Sequence, residues 1–158
     1  LDLQSLAACG RDKLLLSVLH NATVRDLTLE RWLTAVRAAL LEATSEPDSP
    51  QDALMALQAA IATQCFINEY AWVRSARETE QVARLQANVD EHLRAGAPLN
   101  AHWVLGLACY LPLQELAQVD ALLSRDWPLA VQAVLRQQVQ EPRQEASLRA
   151  GIPRLTSI

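Results

Sequence analysis

The chain has 158 residues, 51% of them apolar, with 14 basic against 18 acidic side chains and a formal net charge of −4. The length is enough to bury a core. The acidic balance, with one lysine (Lys13) and arginines scattered among acids, argues against the basic stripe of a nucleic-acid-binding domain.

Leu and Ala dominate, and both are strong helix formers. Only four glycines and one phenylalanine are present, and no stretch alternates apolar and polar residues as a half-buried strand does. The expected fold is all-α: a compact bundle of about eight helices with no sheet, built around a buried central helix at about residues 50–72. Residues 1–150 are expected to form a single helical domain, and 151–158 an extended linker towards a further C-terminal domain. The lack of an initiator Met fits an excised or trimmed segment.

Leu3 to Leu19 predicts one or two short helices broken at Gly10, with Leu14, Leu15, Val18 and Leu19 facing inward. The next helix is expected to start at Thr28 as N-cap, with Glu30 in the first turn. Its buried stripe is Leu29, Trp32, Leu33, Val36, Leu40 and Ala43, and Arg31, Arg37 and Glu42 lie off it. The run 44–50, TSEPDSP, is a loop in which Ser49 and Pro50 open the central helix. Along Ala53–Val73, ALMALQAAIATQCFINEYAWV, the apolar residues cover nearly the whole circumference, the pattern of a buried helix. Its end carries Gln64, Asn68 and Glu69 in that apolar setting, where polar groups need fixed partners.

Arg74 to Ala95 reads as a surface helix with the stripe Val82, Leu85, Val89 and Leu93, stopped by Gly96. The pairs Glu80/Arg84 and Asp90/Arg94 stand at helical i,i+4 spacing. Asn100 can cap a helix from Ala101 to Tyr110. A further helix is expected from Leu113 to Ser124. Asp126 is expected to cap the one after it, with Trp127, Val131, Val134, Leu135 and Val139 inward. Glu141-Pro142 restarts a last helix, ended by Gly151.

The candidate chemistry is sparse. The glycines are isolated, so no phosphate or dinucleotide loop is spelled out. His20, His92 and His102 are far apart, and no metal site is expected. Cys9, Cys65 and Cys109 sit in apolar runs and read as reduced core residues of a cytoplasmic protein. No apolar run reaches the roughly 18 residues of a membrane span. No catalytic, cofactor or metal residue is assigned. The candidate polar network or docking surface is Gln64, Asn68, Glu69 and Tyr70, with Arg149 and Arg154 in the C-terminal run. Its plain reading is that Gln64 and Asn68 bind backbone at helix ends and Glu69 pairs with an arginine. The functional reading is a cleft for a ligand or partner.

Four stretches form a recognisable set: VRDLTLERWLTAVRAALL at Val24–Leu41, QCFINEY at Gln64–Tyr70, LLSRDWP with VLRQQVQEP within Leu122–Pro142, and LRAGIPRLTSI at Leu148–Ile158. Together the chain resembles a helical segment of bacterial proteins that combine tetratricopeptide repeats with a class I S-adenosylmethionine-dependent methyltransferase domain. In those proteins the segment lies upstream of the methyltransferase domain. The resemblance implies a non-catalytic accessory unit that positions or regulates that domain and helps bind a protein substrate. S-adenosylmethionine is then expected only in the adjoining domain. The partners implied are the adjoining methyltransferase and repeat domains, with no nucleic acid and no membrane. The alternative is a free-standing interaction or dimerisation module.

Overall fold

The computed structural model describes residues 1–44 and 52–153. In chain order the helices are α1 (Leu3–Arg11), α2 (Lys13–Asn21), α3 (Leu27–Ala43), α4 (Asp52–Ile67), α5 (Ala76–Ala95), α6 (Ala101–Ala108), α7 (Val119–Leu123), α8 (Leu129–Leu135) and α9 (Glu141–Ala150). A 3₁₀ turn, Leu113–Glu115, precedes α7, and a π-helical segment, Arg136–Gln140, joins α8 to α9. The described residues contain no strand, so the fold is all-α.

The bundle is built around α4. Leu54, Leu57, Ile61 and Cys65 are buried on one stripe, and Ala59, Ala60 and Ala62 are buried beside it. Alanine keeps the helix thin, so neighbours approach from several sides: α1, α2, α3, α6 and α8 all pack on it. Close approach brings a second requirement, because helix ends leave carbonyls and amides without intrahelical partners. Of three fully buried glutamines, Gln64 and Gln138 meet that need and Gln58 joins buried side chains. A neutral side-chain amide offers two donors and an acceptor.

Gln64 on α4 donates Nε2 to the carbonyls of Leu19 (2.9 Å) and Ala22 at the end of α2, and its Oε1 accepts from Val24 N (3.2 Å). Gln138 in the π segment donates to the carbonyls of Ala108 (3.2 Å) and Ala62 (3.4 Å) and accepts from Leu113 N (3.1 Å). Gln58 donates to Thr44 Oγ1 at 3.2 Å, and its Oε1 lies 2.6 Å from His102 Nδ1. With Oε1 as acceptor, Nδ1 is the protonated ring nitrogen. Burial pushes the His102 pKa down, which keeps the ring neutral.

Several boundaries differ from the sequence expectation, each for a local reason. Gly10 does not break a helix but lies inside α1, where it passes close to α4; the break falls at Asp12, whose Oδ1 caps α2 through Leu14 N and Leu15 N, both at 3.0 Å. The inward face of α2 is rotated: Leu19 is fully buried, whereas Leu14 is 76% exposed. Asp26, not Thr28, caps α3, with Oδ1 2.7 Å from Leu29 N. Ser49, Pro50 and Gln51 lie outside the described residues, so the expected opening of α4 does too.

The expected Arg74 start of α5 moves to Ala76. Ser75 and Glu78 form a capping box there, with Ser75 N to Glu78 Oε2 at 2.7 Å and Glu78 N to Ser75 Oγ at 3.1 Å. Gly96 does end α5, in the left-handed region at φ 66°. Val82, Val89 and Leu93 are buried as the stripe requires.

The expected Leu113–Ser124 helix is split, because Leu116 adopts extended backbone after the 3₁₀ turn and buries its side chain. Asp126 does not cap α8. Instead Trp127 tucks in, its Nε1 donates to Leu122 O at 2.8 Å, and its own carbonyl accepts from Gln132 Nε2 at 2.7 Å. From Leu129 the chain stays helical through the π segment to Ala150, with no restart at Glu141. The inward residues Trp127, Val131, Val134, Leu135 and Val139 are all buried. Beyond them, α9 buries none of its side chains.

Candidate functional site

The last turn of α4 closes without glycine. Tyr70 N donates to Cys65 O (2.8 Å) and Glu69 N to Phe66 O (3.1 Å), a Schellman arrangement in which Glu69 holds the position that usually needs glycine. Glu69 (φ 56°) and Tyr70 (φ 59°) both sit in the left-handed region. Non-glycine residues there cost about 1–2 kcal/mol each, and such backbone clusters at functional sites. Glu69→Gly is therefore expected to raise stability by about 1 kcal/mol, seen as a higher urea midpoint; a lower midpoint would show that the Glu69 side chain itself holds the fold.

The turn ends α4 early, at Ile67 rather than near residue 72, and the chain reverses into α5. Trp72 is buried behind the reversal, while Val73 is 80% exposed. The reversal opens a cleft of about 990 Å³. Phe66, Ile67, Glu69 and Tyr70 form one wall, and Thr79, Val82, Ala83 and Gln86 of α5 another. Tyr110, Leu111 and Pro112 after α6 provide the floor, and Glu115, Gln137 and Glu141 close the third side. Among the described residues, Arg74 is the single cationic one in the lining.

Directly beneath the cleft lies a buried charged cluster. Arg37 of α3 is 2% exposed, and its Nη2 donates to Val73 O (2.7 Å) and to Glu78 Oε1 (3.2 Å). Tyr110 donates its hydroxyl to the same Glu78 oxygen at 2.6 Å, and the Arg37 guanidinium lies 4.4 Å from the centre of the Tyr110 ring. Burial alone would raise the Glu78 carboxyl, but the bonds from Tyr110 and Ser75 and the charge of Arg37 hold it below its ordinary value. Burial pushes the phenols of Tyr70 and Tyr110 well above their usual range, so both are neutral. The cluster ties α3, the start of α5 and the end of α6 together, which fixes the cleft walls.

The sequence-predicted residues separate. Glu69 and Tyr70 reach the cleft, and the Tyr70 hydroxyl donates to Ala108 O at 3.3 Å. Gln64 is turned away into the α2–α3 connection. The side-chain nitrogen and oxygen of Asn68 are buried without a hydrogen-bond partner among the described residues. Glu69 pairs with no arginine among the described residues; the ion pairs there are Arg37–Glu78, Arg77–Glu42, Arg143–Asp120 and Arg149–Glu145. Arg149 thus sits on exposed α9, away from the cleft, and Arg154 lies outside the described residues.

Sequence reasoning missed Arg37, Glu78 and Tyr110. The spacing Ser75-x-x-Glu78 was a legible capping signal for one of them. The three cysteines are free. Burial pushes the Cys65 thiol up to about 12 and raises Cys109 well above its usual value, so both remain thiols at neutral pH. Among the described residues no group of His, Cys, Asp or Glu side chains is placed to hold a metal ion, and no helix is long and apolar enough to cross a membrane.

No protein-family model, curated protein or solved structure matches the chain.

Proposed function

We propose that the chain is a non-catalytic helical accessory unit that positions or regulates an adjoining S-adenosylmethionine-dependent methyltransferase domain, and that its cleft receives a segment of a protein substrate. One observation carries this reading. QCFINEY, a stretch on which the sequence resemblance rests, is also the stretch whose strained turn builds a cleft wall. A second feature fits it. The polar α9 helix has no fully buried side chain, while Leu148 and Ile152 are 72% and 67% exposed. A helix polar all round suits a connection between domains.

The test uses a longer protein in which this chain adjoins such a methyltransferase domain. Deleting residues 1–150, or introducing Glu69→Ala with Glu115→Ala, is expected to lower kcat/KM for the protein substrate by about tenfold. The affinity for S-adenosylmethionine should not change. Unaltered methyl transfer in both variants would sink the proposal.

A further inference from the structure

Resting on the reading of the cleft as a protein-docking site, we infer that its occupant is a basic peptide segment in which arginine or lysine alternates with apolar side chains. The interior of the cleft supplies the apolar half of the match. Phe66, Tyr70, Leu111 and Pro112 line it, and the two phenols nearby are uncharged. Charge is confined to the rim. Glu69 comes from the α4 turn, Glu115 from the 3₁₀ turn and Glu141 from the first residue of α9. All three are exposed, and none is in an ion pair among the described residues. Against them, among the described residues, stands only Arg74.

Three carboxylates around a hollow with low-dielectric walls focus negative potential into it, and the screening length of about 8 Å at physiological salt leaves that potential effective across the cleft. The carboxylates are not grouped closely enough to share a metal ion. Several spaced cations therefore satisfy them better than one small ion. The volume of about 990 Å³ lies at the upper end of the roughly 300–1,000 Å³ range of small-ligand sites, and the cleft is open to solvent. A short extended peptide fits that shape.

The experiment is a fluorescence-anisotropy titration of the 158-residue chain with a labelled peptide alternating Arg and Leu and with its Glu–Leu counterpart. The Arg–Leu peptide is expected to bind and the Glu–Leu peptide to show no saturable binding. Combined Glu69→Gln, Glu115→Gln and Glu141→Gln should weaken binding about tenfold, roughly twofold for each exposed ion pair lost. Neutralising Glu80, Glu91 and Asp126 outside the cleft should leave it unchanged, and Arg74→Gln should tighten it. Replacing Leu by Ser in the peptide should weaken it. Equal binding of both peptides, or equal loss in the two triple variants, would overturn the inference, because either marks non-specific attraction to an acidic protein. Failure of the Arg–Leu peptide to bind overturns the basic-peptide assignment whatever the methyl-transfer result, which bears on the accessory role alone.

Discussion

Arg37→Ala is expected to lower the free energy of unfolding by about 3–5 kcal/mol, the usual cost of stripping one partner from a buried ion pair. The substitution leaves Glu78 in place with Tyr110 and the Ser75 amide as its only donors among the described residues. It also strips the Val73 carbonyl of its guanidinium and empties the space over the Tyr110 ring. Urea unfolding measures the loss, and a change below about 1 kcal/mol would show that Glu78 is satisfied without the cation. The pH dependence identifies the cause. In the parent chain Glu78 ionises below its ordinary value of 4.5. Its contribution is thus complete above that pH and disappears as the pH falls through the lowered value. Without Arg37, the upward push of burial meets less opposition and the carboxyl protonates more readily. The stability gap between parent and variant should then be widest near neutrality and narrow below pH 4.5. Pairing Arg37→Met with Glu78→Gln should recover part of the loss, since neither group is then left charged and unpaired.

Gly10→Ala is expected to cost about 3 kcal/mol. A Cβ at Gly10 would stand 1.9 Å from the carbonyl oxygen of Ala53 and 2.5 Å from its carbon. Both are backbone atoms at the start of α4, so no rotamer change relieves the clash. Helix propensity favours alanine by about 1 kcal/mol, which is too little to offset it. Instead α1 must lift from α4, and Leu6 and Ala7, now 1% and 3% exposed on the same face, lose their burial. Thermal or urea unfolding gives the cost; a variant as stable as the parent would mean that α1 is not closely seated.

The contrast between these two sites and α4 shows what the sequence could convey. The uniform apolar coat of α4, the stripe of α5 and the inward set from Trp127 to Val139 are periodic, and periodicity is a local property that reports burial directly. Arg37 stood off its stripe and read as solvated, because nothing near it in the chain announces Glu78 or Tyr110. Its burial is decided by partners that only the tertiary fold delivers. Gly10 carried the same ambiguity: a glycine that breaks a helix and one that admits a neighbouring backbone look alike in one dimension. Of the site, the Gln64–Tyr70 turn was legible as a place where polar groups enter an apolar helix. The opposing walls, from α5, the 3₁₀ turn and the π segment, were not. Gln64 and Glu69, five residues apart, then met different partners, Gln64 the α2–α3 connection and Glu69 the cleft, because the left-handed turn redirects everything after Ile67.

The central position of α4 also sets a problem during synthesis. Its partners α1, α2 and α3 leave the ribosome before it, so that side can be covered at once. Its contacts with α6 and α8 wait until residues 101–108 and 129–135 emerge. At about 5–20 residues per second, apolar surface on α4 stays uncovered for several seconds after the helix itself is complete. That interval, rather than any weakness of the finished bundle, is when the chain most needs protection from aggregation.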